Sequence, residues 1–165
     1  MSPQKTEVVN IIVFTDEYFM TRAYEEARLA FEEDEIPVGA VVVWNHQIIA
    51  KCHNLTQSLN DVTAHAEIQA ITAAANHLGH KYLNECSMYV TLEPCIMCAG
   101  ALKWAQLGRL VYAASDEKEG FMRYGRPLLH MDTKLELGLM EAPCSALLKE
   151  FFRKKRSMDN LLRKG

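Results

Sequence analysis

The sequence has no apolar run near the roughly twenty residues that cross a bilayer as a helix, and its longest, such as Pro37 to Trp44, fall far short. A membrane protein is therefore not expected. Nor does the start read as a signal peptide, because the apolar block Ile11 to Phe14 is short and is followed at once by Asp16 and Glu17. These absences lead us to expect a cytoplasmic protein. Glycine and proline are sparse, 8 and 5 in 165 residues, which excludes collagen-like and low-complexity chains. Cysteine is too thinly spread for a disulfide framework: of five, two form a Cys-x-x-Cys pair and three are scattered. Cys52, Cys86 and Cys144 are expected to be small, buried apolar residues. Positive charge is also short, and the formal net charge of −3 argues against tight nucleic-acid binding. The shortage is uneven, since from Lys149 onward seven basic residues face only Glu150 and Asp159. The tail is where a polyanion would bind.

What is present is an ordinary globular composition, 49% hydrophobic and 24% charged, in a length that suits one domain over residues 1–165. Thr15 is placed to cap a helix with Asp16 and Glu17 in its first turn, and Phe19, Ala23, Ala27, Ala30 and Phe31 recur at helical spacing until Pro37 stops it. Val38 to Trp44 reads as a buried strand, Asn45-His46 as a turn and Gln47 to Cys52 as the return strand of a hairpin. A polar loop to Val62, a helix over Thr63 to Leu78, a strand over Ser87 to Leu92 and a helix opened by Pro94 follow. The pattern ends with strands at Arg109 to Ser115 and Lys134 to Leu139 and a basic helix over about 143–162. Such alternation predicts an α/β fold with parallel pairing and helices on both faces of the sheet.

The chemistry-bearing residues stand where two of these helices begin. His65-Ala66-Glu67 lies in the first turn of one and Pro94-Cys95-Ile96-Met97-Cys98 opens the other, with Pro94 expected at the first helical position. Cys95 and Cys98 are three apart, so they share a helical face and can grip one ion, and a helix N-terminus favours the thiolate that binds metal. His65 and Glu67 are two apart and would diverge by about 200° on a regular helix, so they converge only if that helix points end-on at the ion. No fourth ligand is apparent. Three protein ligands mark a catalytic zinc site, where the fourth place is kept for water, rather than a closed structural one. A lone Cys-x-x-Cys also fits a redox pair, half of a structural site or two buried cysteines. A redox pair, however, would not require the His-x-Glu. His-x-Glu with Pro-Cys-x-x-Cys is the established signature of zinc deaminases, in which the Glu shuttles protons and is not a ligand. On it, Glu67 is the catalytic acid/base, and His65, Cys95 and Cys98 hold Zn2+.

The runs Ile36 to Val43, Thr63 to Ile68 and Tyr89 to Ala101, with Asn54 between the first two, resemble the cytidine and deoxycytidylate deaminase superfamily, and within it the bacterial tRNA-specific adenosine deaminases. The likeness extends from about Tyr18 to Arg156 and includes the Phe151-Phe152-Arg153 ending. It implies a three-layer α/β/α sandwich with a five-stranded mixed sheet, a homodimer, and one zinc per subunit. It also implies hydrolytic conversion of adenosine to inosine at the wobble position, on a tRNA anticodon stem-loop. By position, Asn54 matches the residue that hydrogen-bonds the flipped base, and Ile36 and Ala64 match residues lining its pocket.

The stretch 117–127 departs from the family pattern, which is Gly- and Ala-rich there, whereas Phe121, Tyr124, Arg123 and Arg126 could stack on and neutralise RNA. On the last helix Arg153, Lys154, Lys155 and Arg156 are expected to contact phosphates, with Arg153 and Arg156 as candidate substrate-binding residues. Two other readings stay open. One is a deaminase of free guanine, cytosine or a nucleoside, which needs no basic surface, and Ala75 to Glu85 has some likeness to guanine deaminases. The other is a zinc-stabilised binding module without catalysis, which has no use for Glu67.

Overall fold

The computed structural model describes residues 14–163, so the block Ile11 to Val13 and the basic residue Lys164 lie outside it. Helix α1 spans Asp16–Glu32 and opens as expected, with the Thr15 hydroxyl accepting the Tyr18 N–H at 3.2 Å. It ends well before Pro37. Asp34 takes the left-handed conformation (φ 63°), and the N–H groups of Asp34 and Glu35 return to the carbonyls of Phe31 and Ala30. That is a Schellman turn with Asp in the place usually held by glycine. It folds Glu35 inward.

Strands β1 (Gly39–Trp44) and β2 (Gln47–His53) form the expected hairpin, and both turn residues, Asn45 and His46, have positive φ, as a tight two-residue turn requires. Helix α2 (Ala66–Leu78), β3 (Ser87–Leu92), α3 (Ile96–Trp104), β4 (Arg109–Ala114), β5 (Lys134–Leu137) and α4 (Glu141–Leu162) follow. Three helix starts differ from expectation, and β5 stops at Leu137 rather than Leu139. Helices α2 and α3 start later, with His65 and Cys95 as extended N-cap residues, so Pro94 precedes the helix and is not its first residue. Helix α4 begins two residues earlier than Pro143, after Met140 in the left-handed conformation.

The sheet has five strands in the order β2-β1-β3-β4-β5. Pairing is parallel only for β3-β4 and β4-β5, while β1 is antiparallel to both neighbours. The five-stranded mixed sheet that the resemblance implies is the one found, the expected hairpin giving an antiparallel pair and the α/β alternation the parallel ones. The hairpin turn reverses the chain, so β2 runs parallel to β3 with β1 between them, and α2 crosses over β1 on the way.

Alternation along the central strands divides the core into two layers. Ala40, Val42, Met88, Val90, Leu110 and Tyr112 meet α2 and α3 on one face. Val41, Val43, Tyr89, Val111 and Ala113 meet α1 and the start of α4 on the other. Gly39 permits the second contact, because a Cβ there would stand 2.1 Å from the Ala23 carbonyl oxygen. Cys86 and Cys144 are buried and Cys52 is half-buried, and desolvation raises all three thiols, to about 11, 12 and 11. Among the described residues no helix is long and apolar enough to cross a membrane.

Candidate active site

Because β2, β3 and β4 run parallel, their C-terminal ends lie on one side of the sheet. The residues just beyond them, Asn54, Glu93, Cys95 and Asp116, line one cavity of about 640 Å3. Crevices at strand C-termini are where open α/β sheets bind ligands. The start of α2 brings His65 and Glu67 to the same place, and α4 closes the mouth with Phe152 and Arg156.

His65 Nδ1 lies 3.6 Å from Cys95 Sγ and 3.5 Å from Cys98 Sγ, and the three donor atoms all fall within 4.8 Å of one another. With metal–sulfur and metal–nitrogen bonds of about 2.3 and 2.1 Å, a tetrahedral zinc-type site places N and S about 3.6 Å apart. The donor set therefore fits a tetrahedral ion held by one nitrogen and two sulfurs. The 200° divergence of His65 from Glu67 disappears because His65 is a cap in extended conformation (φ −67°, ψ 153°) and so lies off the helix cylinder. Cys95 is likewise a cap, with Cys98 one turn into α3.

The site is electrostatically tuned. The hydrogen bond from Cys98 lowers the Cys95 thiol to about 4 against the effect of burial, and His65 adds to it. Cys98, the donor in that bond and itself buried, is pushed up. His65 is raised, first by its bond with Cys95. Glu67 is only 4% exposed, and desolvation raises its carboxyl to about 7. A carboxyl poised near neutrality beside a metal-type site can both take and give a proton.

The family described as MafB19-like deaminase matches residues 14–156. The tRNA-specific adenosine deaminase of Agrobacterium fabrum is 45% identical over 147 residues, covering 86% of this chain and 97% of that protein. The chain belongs to the tRNA-specific adenosine deaminase family. Among solved structures, one from a study of A-to-I editing by tRNA:A34 deaminases at the wobble position of transfer RNA is similar, with TM-score 0.75 and 43% identity over 79% of this chain and 99% of that one. The guanine deaminase of Nitrosomonas europaea is similar in fold with TM-score 0.74 at 27% identity, covering 83% of this chain and 84% of that one.

In this deaminase the outer residues are distributed less simply than the central ones. Asn54 and Ile36 line the cavity, and the Asn54 side-chain amide donates to Glu35 at 3.4 Å. Ala64 does not line it: the residue is buried, and its carbonyl accepts from the Leu55 N–H and the Gln69 side chain, while Ala66 forms the wall. Phe121 is 0% exposed and packs edge-on against Tyr112, so the expectation that it stacks on RNA is corrected. It is buried because the loop folds under the start of α3, with the Phe121 N–H on the Pro94 carbonyl at 3.0 Å and Gly120 paired with Cys95. The loop arginines are engaged within their own segment: Arg123 donates to the Lys118 carbonyl, and Arg126 to those of His130 and Thr133. Tyr124 remains exposed.

On α4, Arg156 lines the cavity, whereas Arg153 is paired with Glu150 at 2.6 Å on an exposed face and does not. The sequence reading missed Lys149 and Phe152, which line the mouth beside Arg156. Their signal was available, since Ser145, Lys149, Phe152 and Arg156 recur at the spacing of a single helical face.

Proposed function

We infer that the chain is a single-domain, zinc-dependent hydrolytic deaminase that converts adenosine to inosine at the wobble position of a tRNA anticodon stem-loop. The observation that carries this reading is the joining, in one cavity, of a three-donor metal site, a buried carboxyl raised to about 7 and a mouth formed by Lys149, Phe152 and Arg156. His65, Cys95 and Cys98 would hold the ion. A bound zinc ion supplies Lewis acidity that brings the pKa of water towards neutrality. Glu67 takes one proton from the attacking water and hands it to the ring nitrogen, then carries the second to the leaving amine, so adenosine and water become inosine and ammonia.

Asn54 holds the flipped base by its amide, and Ile36 contacts it from the apolar side. Phe152 offers the stacking face first sought at Phe121, and Lys149 and Arg156 meet phosphate. Support for a homodimer comes from exposed apolar surface on α3 at Ile96 and Trp104, the latter 85% exposed. The protein works in the cytoplasm, where tRNA is its substrate. Ammonia release from an anticodon stem-loop with adenosine at the wobble position, compared with free guanine and cytidine, tests the reading. Turnover of the stem-loop alone supports it, and turnover of guanine with none on RNA overturns the substrate.

A further inference from the structure

Glu35 follows the Schellman turn and is completely buried, yet no cation stands against its carboxylate among the described residues. It is satisfied by donors alone. Oε1 accepts the Ser58 N–H at 2.6 Å, and Oε2 accepts the Gln57 N–H at 3.1 Å, the Thr56 hydroxyl at 3.4 Å and the Asn54 side-chain amide at 3.4 Å. Burying a carboxylate in this way is tolerated only because its lone pairs are so fully used. Burial works against the charge, but the Ser58 and Gln57 N–H groups outweigh it and hold the acid below its ordinary pKa. Two of the four donors, Asn54 and Thr56, line the cavity.

We propose that Glu35 is a positioning residue, whose buried carboxylate fixes the orientation of Asn54 and Thr56 on the base-facing wall and thereby sets affinity for the base. The proposal rests on the cavity being a base-deaminating site. By taking one N–H of Asn54, Glu35 decides which way the amide is turned, so that the carbonyl and the second N–H are left for a purine edge. Thr56 is held from the same oxygen, and the adjoining Gln57 and Ser58 amides prevent the loop from swinging away. An amide cannot replace the acid. In Glu35→Gln an NH2 faces donors, and the backbone N–H groups cannot reverse their role.

The test is a double-mutant cycle on Glu35→Gln and Asn54→Ala, reading kcat and KM for the stem-loop and for free guanine, with amide hydrogen exchange measured in parallel. Glu35→Gln is expected to raise KM about tenfold, the effect of one charge-assisted hydrogen bond, with kcat changed less than about twofold. In the Asn54→Ala background the same change should raise KM by no more than about threefold, the share carried by Thr56. Additive effects, or a fall in kcat at unchanged KM, would overturn the proposal. Should Glu35→Gln fail to fold, Thr56→Val, which removes one donor and keeps the carboxylate, is expected to raise KM about threefold; an unchanged KM overturns it equally. Exchange at Gln57 and Ser58 needs no turnover, and it should quicken at least about tenfold in Glu35→Gln, while in Thr56→Val, which leaves both N–H groups on the carboxylate, it should stay within about threefold of the wild type. A chain that deaminates neither substrate refutes the functional reading while this exchange still judges Glu35: in Glu35→Gln, unchanged rates refute its role and faster rates uphold its hold on the loop.

Discussion

The backbone N–H of Asp116 meets Oε2 of Glu93 at 2.9 Å, while the other oxygen of the same carboxylate accepts the Met122 N–H at 2.9 Å. Glu93 is buried at the end of β3, two residues before Cys95, so it hangs the loop carrying Lys118 and Glu119 from the strand that delivers a metal-site cysteine. A Cβ at Gly120 would lie 2.4 Å from this carboxylate and 2.4 Å from the Asp116 carbonyl oxygen. Gly120→Ala is therefore expected to destabilise the fold by about 1–3 kcal/mol, as overpacking does, and to lower kcat/KM by loosening the loop. A denaturation midpoint equal to that of the wild type would contradict this.

Glu67→Gln keeps the shape of the buried side chain and removes its proton-carrying capacity. Turnover should drop by at least about a hundredfold. Elemental analysis of the same variant should still find about one zinc per chain, because Glu67 is not among the three ligands. Normal turnover refutes the role of Glu67, and loss of zinc with turnover would show that it acts through the metal.

His53, at the end of β2, bonds Glu26 through Nδ1 at 2.9 Å and Glu33 through Nε2 at 3.0 Å. Burial disfavours the imidazolium, but the two carboxylates outweigh it and hold the pKa above its ordinary value. The ion pairs then contribute fully below about pH 6.5, the unfolded value, and fade as pH rises through the higher folded one. The urea midpoint of the wild type should exceed that of His53→Gln most at about pH 5–6, with the gap closing in alkali. A gap independent of pH removes His53 from the account.

Lys149 and Arg156 line the cavity mouth, whereas Lys155 is paired with Asp34 and Arg153 with Glu150. Neutralising the first two should weaken stem-loop binding and flatten its logarithmic salt dependence by roughly 0.7 for each phosphate no longer neutralised by the protein. Turnover of any free base should be nearly unchanged. Equal damage from Arg153→Ala would show that RNA runs along the outer helix face instead.

The candidate metal site was legible in the sequence because metal ligation restricts both residue type and spacing, and His65, Cys95 and Cys98 come together in a group that could hold an ion, with Glu67 in the same cavity. The surroundings were not, for reasons that are local. Phe121 looks like a stacking residue in a polar, arginine-bearing loop, and only the pairing of Gly120 with Cys95 turns it inward. Ala64 and Ala66 differ by two positions, and the extended cap at His65 decides which becomes the wall. Glu35 carried no signal at all, since its burial depends on a left-handed Asp34 in a place where glycine is the usual marker.

The residues that could hold an ion sit at the starts of helices, while two of the segments that border the cavity, 54–58 and 116–122, are each suspended from one buried acid. Inheritance can act on these parts separately. A change in either segment can redraw the pocket without disturbing the reaction centre, provided that its backbone N–H groups still find the acid. The guanine deaminase of Nitrosomonas europaea keeps a similar fold at 27% identity to this chain. Exchange of whole segments, with the anchoring acid kept, is the corresponding route by which a new base preference could be grafted onto this chain.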